Sequence, residues 1–107
     1  MPIHHLRTEA DYNQFMATNS RNSVVIDFFA TWCGPCKLLS PQLEQWSKQY
    51  PTVVFAKVDV DENEEITSKN KVRAMPTLFF YKNGQKVADI QGYDVARIER
   101  SIRGLIN

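Results

Sequence analysis

Residues 23–30 form the segment that most restricts how this chain can fold. The segment is apolar on both faces, and Asp27 is its only charged residue. This pattern is typical of a central strand whose sheet is covered by helices on both sides. The sequence Trp32-Cys33-Gly34-Pro35-Cys36-Lys37 follows almost at once. We therefore expect a buried strand that leads into a helix whose first turn carries two cysteines.

Periodic apolar residues predict helices on either side of this strand. A capping box formed by Thr8 and Asp11 predicts a first helix that runs to about Asn19. In the helix after the cysteines, Pro41 is expected to kink the axis and Pro51 to end the helix. The buried side of that helix consists of residues at helical spacing, which are Leu39, Leu43, Trp46 and Tyr50.

The remaining segments predict three more strands and two more helices. Residues 52–59 have the pattern of another buried strand, and the acidic run at 61–65 is typical of the start of a short helix. Residues 77–81 and Gln85–Gln91 are predicted to form a hairpin, because an Asn-Gly step joins them. The last helix begins after a cap at Asp94, and its apolar stripe consists of Val95, Ile98, Ile102, Leu105 and Ile106.

This order of elements predicts an α/β fold. Strands alternate with helices at first, and a hairpin and a helix follow, so we expect a three-layer sandwich. Its central mixed sheet is expected to have four to five strands, flanked by about four helices. At 107 residues the chain has room for a single domain, which would span residues 1–107.

Charge and hydropathy argue against several classes of partner. The net charge is +1 and the lysines and arginines are scattered, so neither nucleic acid nor a membrane surface is an expected partner. No apolar stretch approaches the roughly 18 residues of a membrane span, and the first six residues lack the features of a signal peptide. We expect a soluble cytoplasmic protein, or a mitochondrial matrix protein if a transit peptide has been removed. Both compartments are reducing, so a disulfide there is expected to be catalytic or sensory.

Cys33 and Cys36 are the candidate catalytic residues. Disulfide exchange needs one accessible sulfur that attacks and a second sulfur that resolves the mixed disulfide. Cys33, at or beside the helix cap, is predicted to face solvent as a thiolate stabilised by the positive end of the helix. Cys36 lies one turn inside, which makes Cys33 the nucleophile and Cys36 the resolving thiol. Because the electrons reside in the two sulfurs, no bound cofactor is expected.

Two other interpretations of the cysteine pair have less support. A zinc site would draw on His4 and His5, but zinc sites use histidines separated by roughly three to five residues. These histidines fit the surface of an edge strand better, so no metal is expected. An inert thiol pair is rare beside Gly-Pro at the start of a helix.

Asp27 is the candidate proton carrier. Burial disfavours a carboxylate, so the pKa of Asp27 is expected to rise and to let this residue deprotonate Cys36 near neutral pH. A lysine on the neighbouring strand, Lys57, would offset part of the desolvation cost and titrate together with Asp27. The alternative is that Asp27 and Lys57 form an ion pair with a structural role only.

Several motifs, in the same order, resemble the thioredoxin family. They span almost the whole chain and comprise residues 27–37, Pro41, residues 57–61, Met75-Pro76-Thr77, Gly84 and Gly92. A C-x-x-C pair near a βαβ pattern is itself typical of thioredoxin-like redox proteins. The resemblance implies the thioredoxin fold and a protein-disulfide reductase that an NADPH-dependent thioredoxin reductase recharges. It also implies a monomer whose substrates include peroxiredoxins, methionine sulfoxide reductase and ribonucleotide reductase.

The resemblance assigns roles to further residues. Lys57 would assist Asp27, which in this family often moves its proton through a water molecule. Pro76 would follow a cis peptide bond and face the cysteines, so that the backbone of Met75 can pair with an extended substrate segment. The docking surface would consist of Trp32, Gly34, Pro35, Val72, Met75, Pro76, Gly92 and Tyr93.

The chain departs from the common thioredoxin pattern at two positions. Phe29 stands where many bacterial thioredoxins have tryptophan, which favours a eukaryotic source. Tyr93 follows Gly92 where a small residue is more usual, and its ring is expected to narrow the docking groove. For Trp32, packing within the domain and contact with substrate remain equally open.

The residues between the cysteines separate the competing functions. Gly34 and Pro35 are expected to tune the redox potential of the pair. Oxidases and isomerases of this superfamily commonly have histidine before the second cysteine, and glutaredoxins prefer Pro-Tyr between the two, so Gly-Pro favours a reductant. The alternative from another class is a binding subunit whose affinity changes with its redox state.

Overall fold

The computed structural model describes residues 3–106, which form one five-stranded sheet with two layers of helices. In chain order the elements are β1 (His4–His5), α1 (Glu9–Thr18), β2 (Ser23–Phe29), α2 (Gly34–Gln49), β3 (Val53–Asp59), α3 (Glu64–Lys69), β4 (Thr77–Lys82), β5 (Gln85–Gln91) and α4 (Val95–Leu105). None of these helices is both long and apolar enough to cross a membrane. The predicted α/β fold with a mixed sheet is confirmed.

Strand β2 lies at the centre of the sheet. The strand order is β1-β3-β2-β4-β5. β2 pairs in parallel with β3, where Asp27 lies opposite Lys57, and antiparallel with β4, where Asp27 lies opposite Leu78. The short β1 pairs in parallel with β3, which places His4 and His5 on an edge strand, as the sequence predicted.

The two faces of the sheet bury separate hydrophobic clusters because side chains alternate along each strand. On β2, Val24, Ile26 and Phe28 face a cluster that includes Tyr12 and Phe15 of α1 and Ile66 of α3. Val25, on the opposite face, packs in a cluster with the apolar sides of α2 and α4, which consist of Leu39, Leu43, Trp46, Ile98, Ile102 and Leu105. Asp27 shares the parity of Val25, so it lies on the face covered by α2.

Local hydrogen bonds fix the ends of two helices where the sequence predicted them. The Thr8 hydroxyl accepts from the Asp11 backbone N–H at 3.0 Å, and the Asp11 carboxylate accepts from the Thr8 backbone N–H at 3.1 Å. Asp94 accepts from the backbone N–H of Arg97 at 3.2 Å. Both arrangements satisfy N–H groups that would otherwise have no partner at a helix start.

The hairpin between β4 and β5 turns at the predicted Asn-Gly step. Asn83 and Gly84 have φ values of 52° and 80°, both in the left-handed region that hairpin turns of this kind require. A Cβ added at Gly84 would lie 3.3 Å from the carbonyl oxygen of Ser20, so glycine also suits the close approach of that loop.

Four predicted boundaries were wrong. β2 ends at Phe29, β3 begins at Val53 and β4 extends to Lys82. Helix α3 begins at Glu64 rather than at the first residues of the acidic run, because Asp59 holds those residues in a turn. The Asp59 carboxylate accepts from Asp61 N–H at 2.9 Å, and the Asp59 carbonyl oxygen accepts from Asn63 N–H at 2.9 Å.

The apolar side of the last helix was also predicted one residue too long. Helix α4 ends at Leu105, and Ile106 follows it with 46% of its surface exposed. Ile98 and Ile102 are fully buried.

Pro41 lies inside α2, which continues through it to Gln49.

The different burial of two isoleucines predicts different stability effects. Ile102→Ala removes a fully buried side chain, so we expect it to lower the free energy of unfolding by about 2–5 kcal/mol. Ile106→Ala is the matched control, and because Ile106 is exposed we expect a change within about 0.5 kcal/mol. Denaturant unfolding of the two variants measures this difference, and equal losses would show that α4 packs differently.

Candidate active site

The junction between β2 and α2 carries the cysteine pair. Cys33 occupies the N-cap position of α2 with extended backbone, φ −90° and ψ 116°, and its sulfur accepts from the backbone N–H of Cys36 at 3.2 Å. Pro35 lies in the first turn, where a missing N–H costs no helical hydrogen bond. The sulfur of Cys33 is therefore held at the positive end of a helix of 16 residues.

Cys33 and Cys36 form a disulfide in this structure, with their Cα atoms 5.3 Å apart. Both residues are buried, with 6% and 4% of their surface exposed. The prediction that Cys33 faces solvent is therefore wrong for the oxidised form. Its sulfur lies 3.6 Å from the carbonyl oxygen of Met75, whose loop covers it.

This covering loop contains a cis peptide bond between Met75 and Pro76, as the thioredoxin resemblance implied. The carbonyl oxygen of Pro76 accepts from the backbone N–H of Gly92 at 2.8 Å. Gly92 has a φ of 96°, which glycine adopts without strain. Two loops distant in sequence are thereby joined beside the disulfide.

A groove of about 450 Å³ runs beside Trp32. The Trp32 side chain is 65% exposed, and its indole N–H donates to the carboxylate of Asp61 at 2.8 Å. Trp32 therefore has an ordered orientation while most of its ring remains accessible. The groove is lined by Trp32, Val60, Asp61, Glu64, Thr67, Ser68, Lys71, Val72, Arg73 and Met75.

The groove includes only part of the docking surface predicted from the sequence. Trp32, Val72 and Met75 line it, whereas five other predicted residues lie outside its walls: Gly34, Pro35, Pro76, Gly92 and Tyr93. Gly34, Pro35 and Tyr93 are exposed, Gly92 is half-buried and Pro76 is buried. The charged residues Asp61, Lys71 and Arg73 also line the groove, and no sequence motif predicts this position for them.

Asp27 is buried in the centre of the sheet with 4% of its surface exposed. Desolvation by burial raises the pKa of Asp27 to about 7, and the positive charge of Lys57 opposes part of that rise. Within residues 3–106, the Oδ1 atom of Asp27 has no hydrogen-bond partner. A carboxyl group with this pKa can take up and release a proton near neutral pH.

Lys57 is adjacent to Asp27 in the sheet register but makes no direct ion pair with it. The Lys57 ammonium nitrogen is more than 4.0 Å from both carboxylate oxygens of Asp27, which is beyond the limit for an ion pair. The Lys57 ammonium lies 5.5 Å from the centroid of the Phe29 ring. Lys57 therefore acts on Asp27 through its charge, which argues against the ion pair with a structural role only.

Asp27 and Cys36 share a small cavity between β2, β3 and α2. Its volume of about 30 Å³ exceeds the roughly 10–15 Å³ that one water molecule needs. A water molecule there can connect the Asp27 carboxyl group with the sulfur of Cys36. The cavity is lined by Ile3, Asp27, Phe29, Cys36, Ser40, Leu43, Glu44 and Lys57.

The histidines considered for a zinc site lie on β1. The Nε2 atom of His5 is 3.1 Å from the Glu62 carboxylate, and the His4 ring packs 5.4 Å from the Phe15 ring. Residues 3–106 contain no group of three or more histidine, cysteine or acidic side chains arranged to hold a metal ion.

The sequence of this chain is similar to known proteins along almost its whole length. The family model described as thioredoxin matches residues 3–104. Thioredoxin-1 of Saccharomyces cerevisiae is 45% identical over 96 residues, which cover 90% of this chain and 91% of that protein. Thioredoxin-1 of Schizosaccharomyces pombe is 52% identical over 80 residues, covering 75% of this chain and 78% of its relative.

Solved structures agree with the sequence relatives. The crystal structure of a reduced Schistosoma mansoni thioredoxin superposes with a TM-score of 0.92 at 39% identity, covering 98% of this chain and 99% of the other. The thioredoxin of Fasciola hepatica superposes with a TM-score of 0.91 at 41% identity, covering 95% and 98%. The chain has a cysteine pair at the start of a helix, beside a loop with a cis-proline. Together with these similarities, this shows that the chain belongs to the thioredoxin family of protein-disulfide reductases.

Proposed function

We propose that this chain reduces disulfides of other proteins, with Cys33 as the nucleophile and Cys36 as the resolving thiol. The observation that carries the proposal is the position of Cys33 at the N-cap of α2, with the Cys36 N–H donating to its sulfur at 3.2 Å. Backbone N–H groups and the helix dipole stabilise a thiolate at this position. The thiolate is the form of cysteine that attacks a disulfide.

The reaction consists of two exchanges. The Cys33 thiolate attacks one sulfur of the target disulfide, which forms a mixed disulfide and releases the other target sulfur as a thiolate. The Cys36 thiol then loses its proton and attacks the sulfur of Cys33. This step closes the Cys33–Cys36 disulfide and releases the second target thiolate. The protein gives up two electrons, and the target gains them as two thiols after protonation.

We assign the proton transfer of the second exchange to Asp27. The raised pKa of about 7 lets the ionised carboxylate accept a proton from Cys36. The shared cavity gives that proton a short route through one water molecule. Lys57 assists because its charge keeps part of the Asp27 population ionised at neutral pH.

The groove beside Trp32 is the proposed docking site for the target. Trp32 and Met75 line this groove, and the Met75 carbonyl oxygen lies 3.6 Å from the sulfur of Cys33. This position supports the proposal that the Met75 backbone pairs with an extended target segment. Tyr93 follows Gly92 and is exposed, and its ring is proposed to narrow the approach to the disulfide from that side. Gly34 and Pro35, exposed between the cysteines, set the redox potential of the pair.

The proposed partners follow from the same family membership. Oxidised protein is recharged by an NADPH-dependent thioredoxin reductase, so NADPH serves indirectly. Peroxiredoxins are proposed targets, because a structure with a TM-score of 0.88 comes from work on a yeast mitochondrial 1-Cys peroxiredoxin and the thioredoxin system. Methionine sulfoxide reductase and ribonucleotide reductase are the other proposed targets, and the protein is proposed to act as a monomer.

The proposed location is the cytoplasm, with the mitochondrial matrix as the alternative. Similar structures include mitochondrial thioredoxin 3 of Saccharomyces cerevisiae, with 38% identity. The two compartments share the reducing conditions that a disulfide reductase needs.

Insulin reduction tests the proposed function directly. We expect the wild-type protein to catalyse it, and Cys36→Ser to stop after one exchange with a mixed disulfide at Cys33. Mass spectrometry of the alkylated mixture detects this adduct. Cys33→Ser is the matched control, and because it lacks the attacking thiolate it should form no adduct. A wild-type protein without turnover would instead favour a binding subunit, and an adduct at Cys36 would reverse the two roles.

The buried carboxyl group predicts that stability depends on pH. Asp27 has a pKa of about 7 in the folded protein and 3.8 as its ordinary value, so the folded state binds more protons between these values. Stability is therefore lost as pH rises from about 4 to 7, by on the order of 4 kcal/mol.

Asp27→Asn removes this dependence, so its stability relative to wild type should rise across the same pH range. Urea unfolding of the oxidised proteins at pH 4.5 and pH 8 measures the difference. Asp89→Asn is the matched control for the loss of one carboxylate, at an exposed position where Asp89 pairs with Lys86. A stability difference for Asp27→Asn that stays constant between the two pH values would contradict the raised pKa of Asp27.

A further inference from the structure

Two polar residues of α2, Ser40 and Glu44, lie on the same face of the helix as the resolving cysteine, Cys36. Ser40 follows Cys36 by four residues, and Glu44 follows Ser40 by four. Residues at this spacing are neighbours on a helix surface. Both line the small cavity that Asp27 and Cys36 share, and both residues are exposed to solvent.

We propose that Ser40 and Glu44 form the exit through which Asp27 exchanges its proton with solvent. The proposal rests on the proposed role of Asp27 and extends it, because a buried acid that accepts a proton in each cycle must also release it. Cys36 gives its proton to Asp27, and the proton then passes through water and the Ser40 hydroxyl to the Glu44 carboxylate. Glu44 releases the proton to solvent, so the relay starts and ends in the same state.

The surroundings of Asp27 leave few other routes. Its neighbours in the sheet are Lys57 on β3 and Leu78 on β4, and Leu78 is fully buried. The remaining cavity wall is apolar, formed by Ile3, Phe29 and Leu43. A proton cannot cross such a wall without polar groups to carry it. The polar wall beyond Asp27 and Cys36 therefore consists of Lys57, Ser40 and Glu44.

Lys57 and Glu44 are the charged side chains that face this cavity from β3 and α2. Lys57 is half-buried and its ammonium lies over the Phe29 ring, which suits a fixed charge that influences Asp27. Glu44 lines the cavity and is also exposed to solvent. A group that releases the proton from the cavity to solvent needs both properties. The Ser40 hydroxyl can donate and accept at once, so it can link a water in the cavity to Glu44.

This arrangement predicts a change in rate without a change in the pKa of Asp27. Burial and the charge of Lys57 determine the pKa of Asp27, so neither Glu44→Gln nor Ser40→Ala should change this pKa. Both variants should slow the resolution of a mixed disulfide at pH 7 by about tenfold, because one member of a proton relay is lost. Imidazole in the buffer should restore the rate, since a small base at the cavity mouth can take the proton instead.

The test is a single-turnover experiment with a peptide disulfide, measured by release of the second peptide thiol from pH 6 to 8. The pKa of Asp27 is followed by carbon NMR in each variant. Glu65→Gln is the matched control, because it neutralises an exposed helical carboxylate on α3, outside the walls of the cavity and the groove. We expect wild-type rates for this control and slow, imidazole-rescued rates for Glu44→Gln and Ser40→Ala.

Two outcomes would overturn the proton exit. Wild-type rates in both cavity variants, with slow resolution in Asp27→Asn, would reject the exit and leave the role of Asp27 intact. Slow rates that imidazole does not restore, together with a shifted Asp27 pKa, would show a change of structure or charge rather than a lost relay. If Asp27→Asn also resolves the mixed disulfide at the wild-type rate from pH 6 to 8, the proposed proton transfer by Asp27 itself fails.

Discussion

The pairing of β2 with β3 on one side and β4 on the other is the constraint on which the site depends. It places Lys57 beside Asp27, and it brings the start of β4, with Pro76 just before it, to the end of β2. Only four residues separate the end of β2 from the start of α2, so the N-terminus of α2 lies at that same edge. The disulfide, the cis-proline loop and the buried acid therefore meet through the register of one central strand.

The site combines two opposite electrostatic environments. At the N-cap of α2, N–H groups and the helix dipole favour negative charge on the sulfur of Cys33. Inside the sheet, desolvation disfavours negative charge on Asp27 and brings its pKa to about 7. One group is thus suited to attack as an anion, and the other to gain and lose a proton. These two environments suit the two exchanges that we propose for disulfide reduction.

Much of this arrangement was predictable because local signals determine it. The apolar segment around Asp27 specified a central strand, Thr8 and Asp94 specified helix starts, and the Asn-Gly step specified the hairpin. The low exposure of Cys33 was not predictable, since it depends on Met75, which is 42 residues away in sequence. The roles proposed for Ser40 and Glu44 likewise required the cavity, although their spacing from Cys36 was visible in the sequence.

The central claim is that the folded N-cap position activates Cys33, and the pH dependence of its alkylation tests this most directly. The reduced protein is treated with limiting iodoacetamide between pH 5 and 10, and the modified cysteine is identified by mass spectrometry. An unfolded peptide containing Trp32-Cys33-Gly34-Pro35-Cys36-Lys37 is the control, with an expected midpoint near 8.5 for an ordinary thiol. We expect Cys33 of the folded protein to react first, with a midpoint below that of the peptide, because the N-cap position stabilises its thiolate. A midpoint equal to that of the peptide would contradict the account.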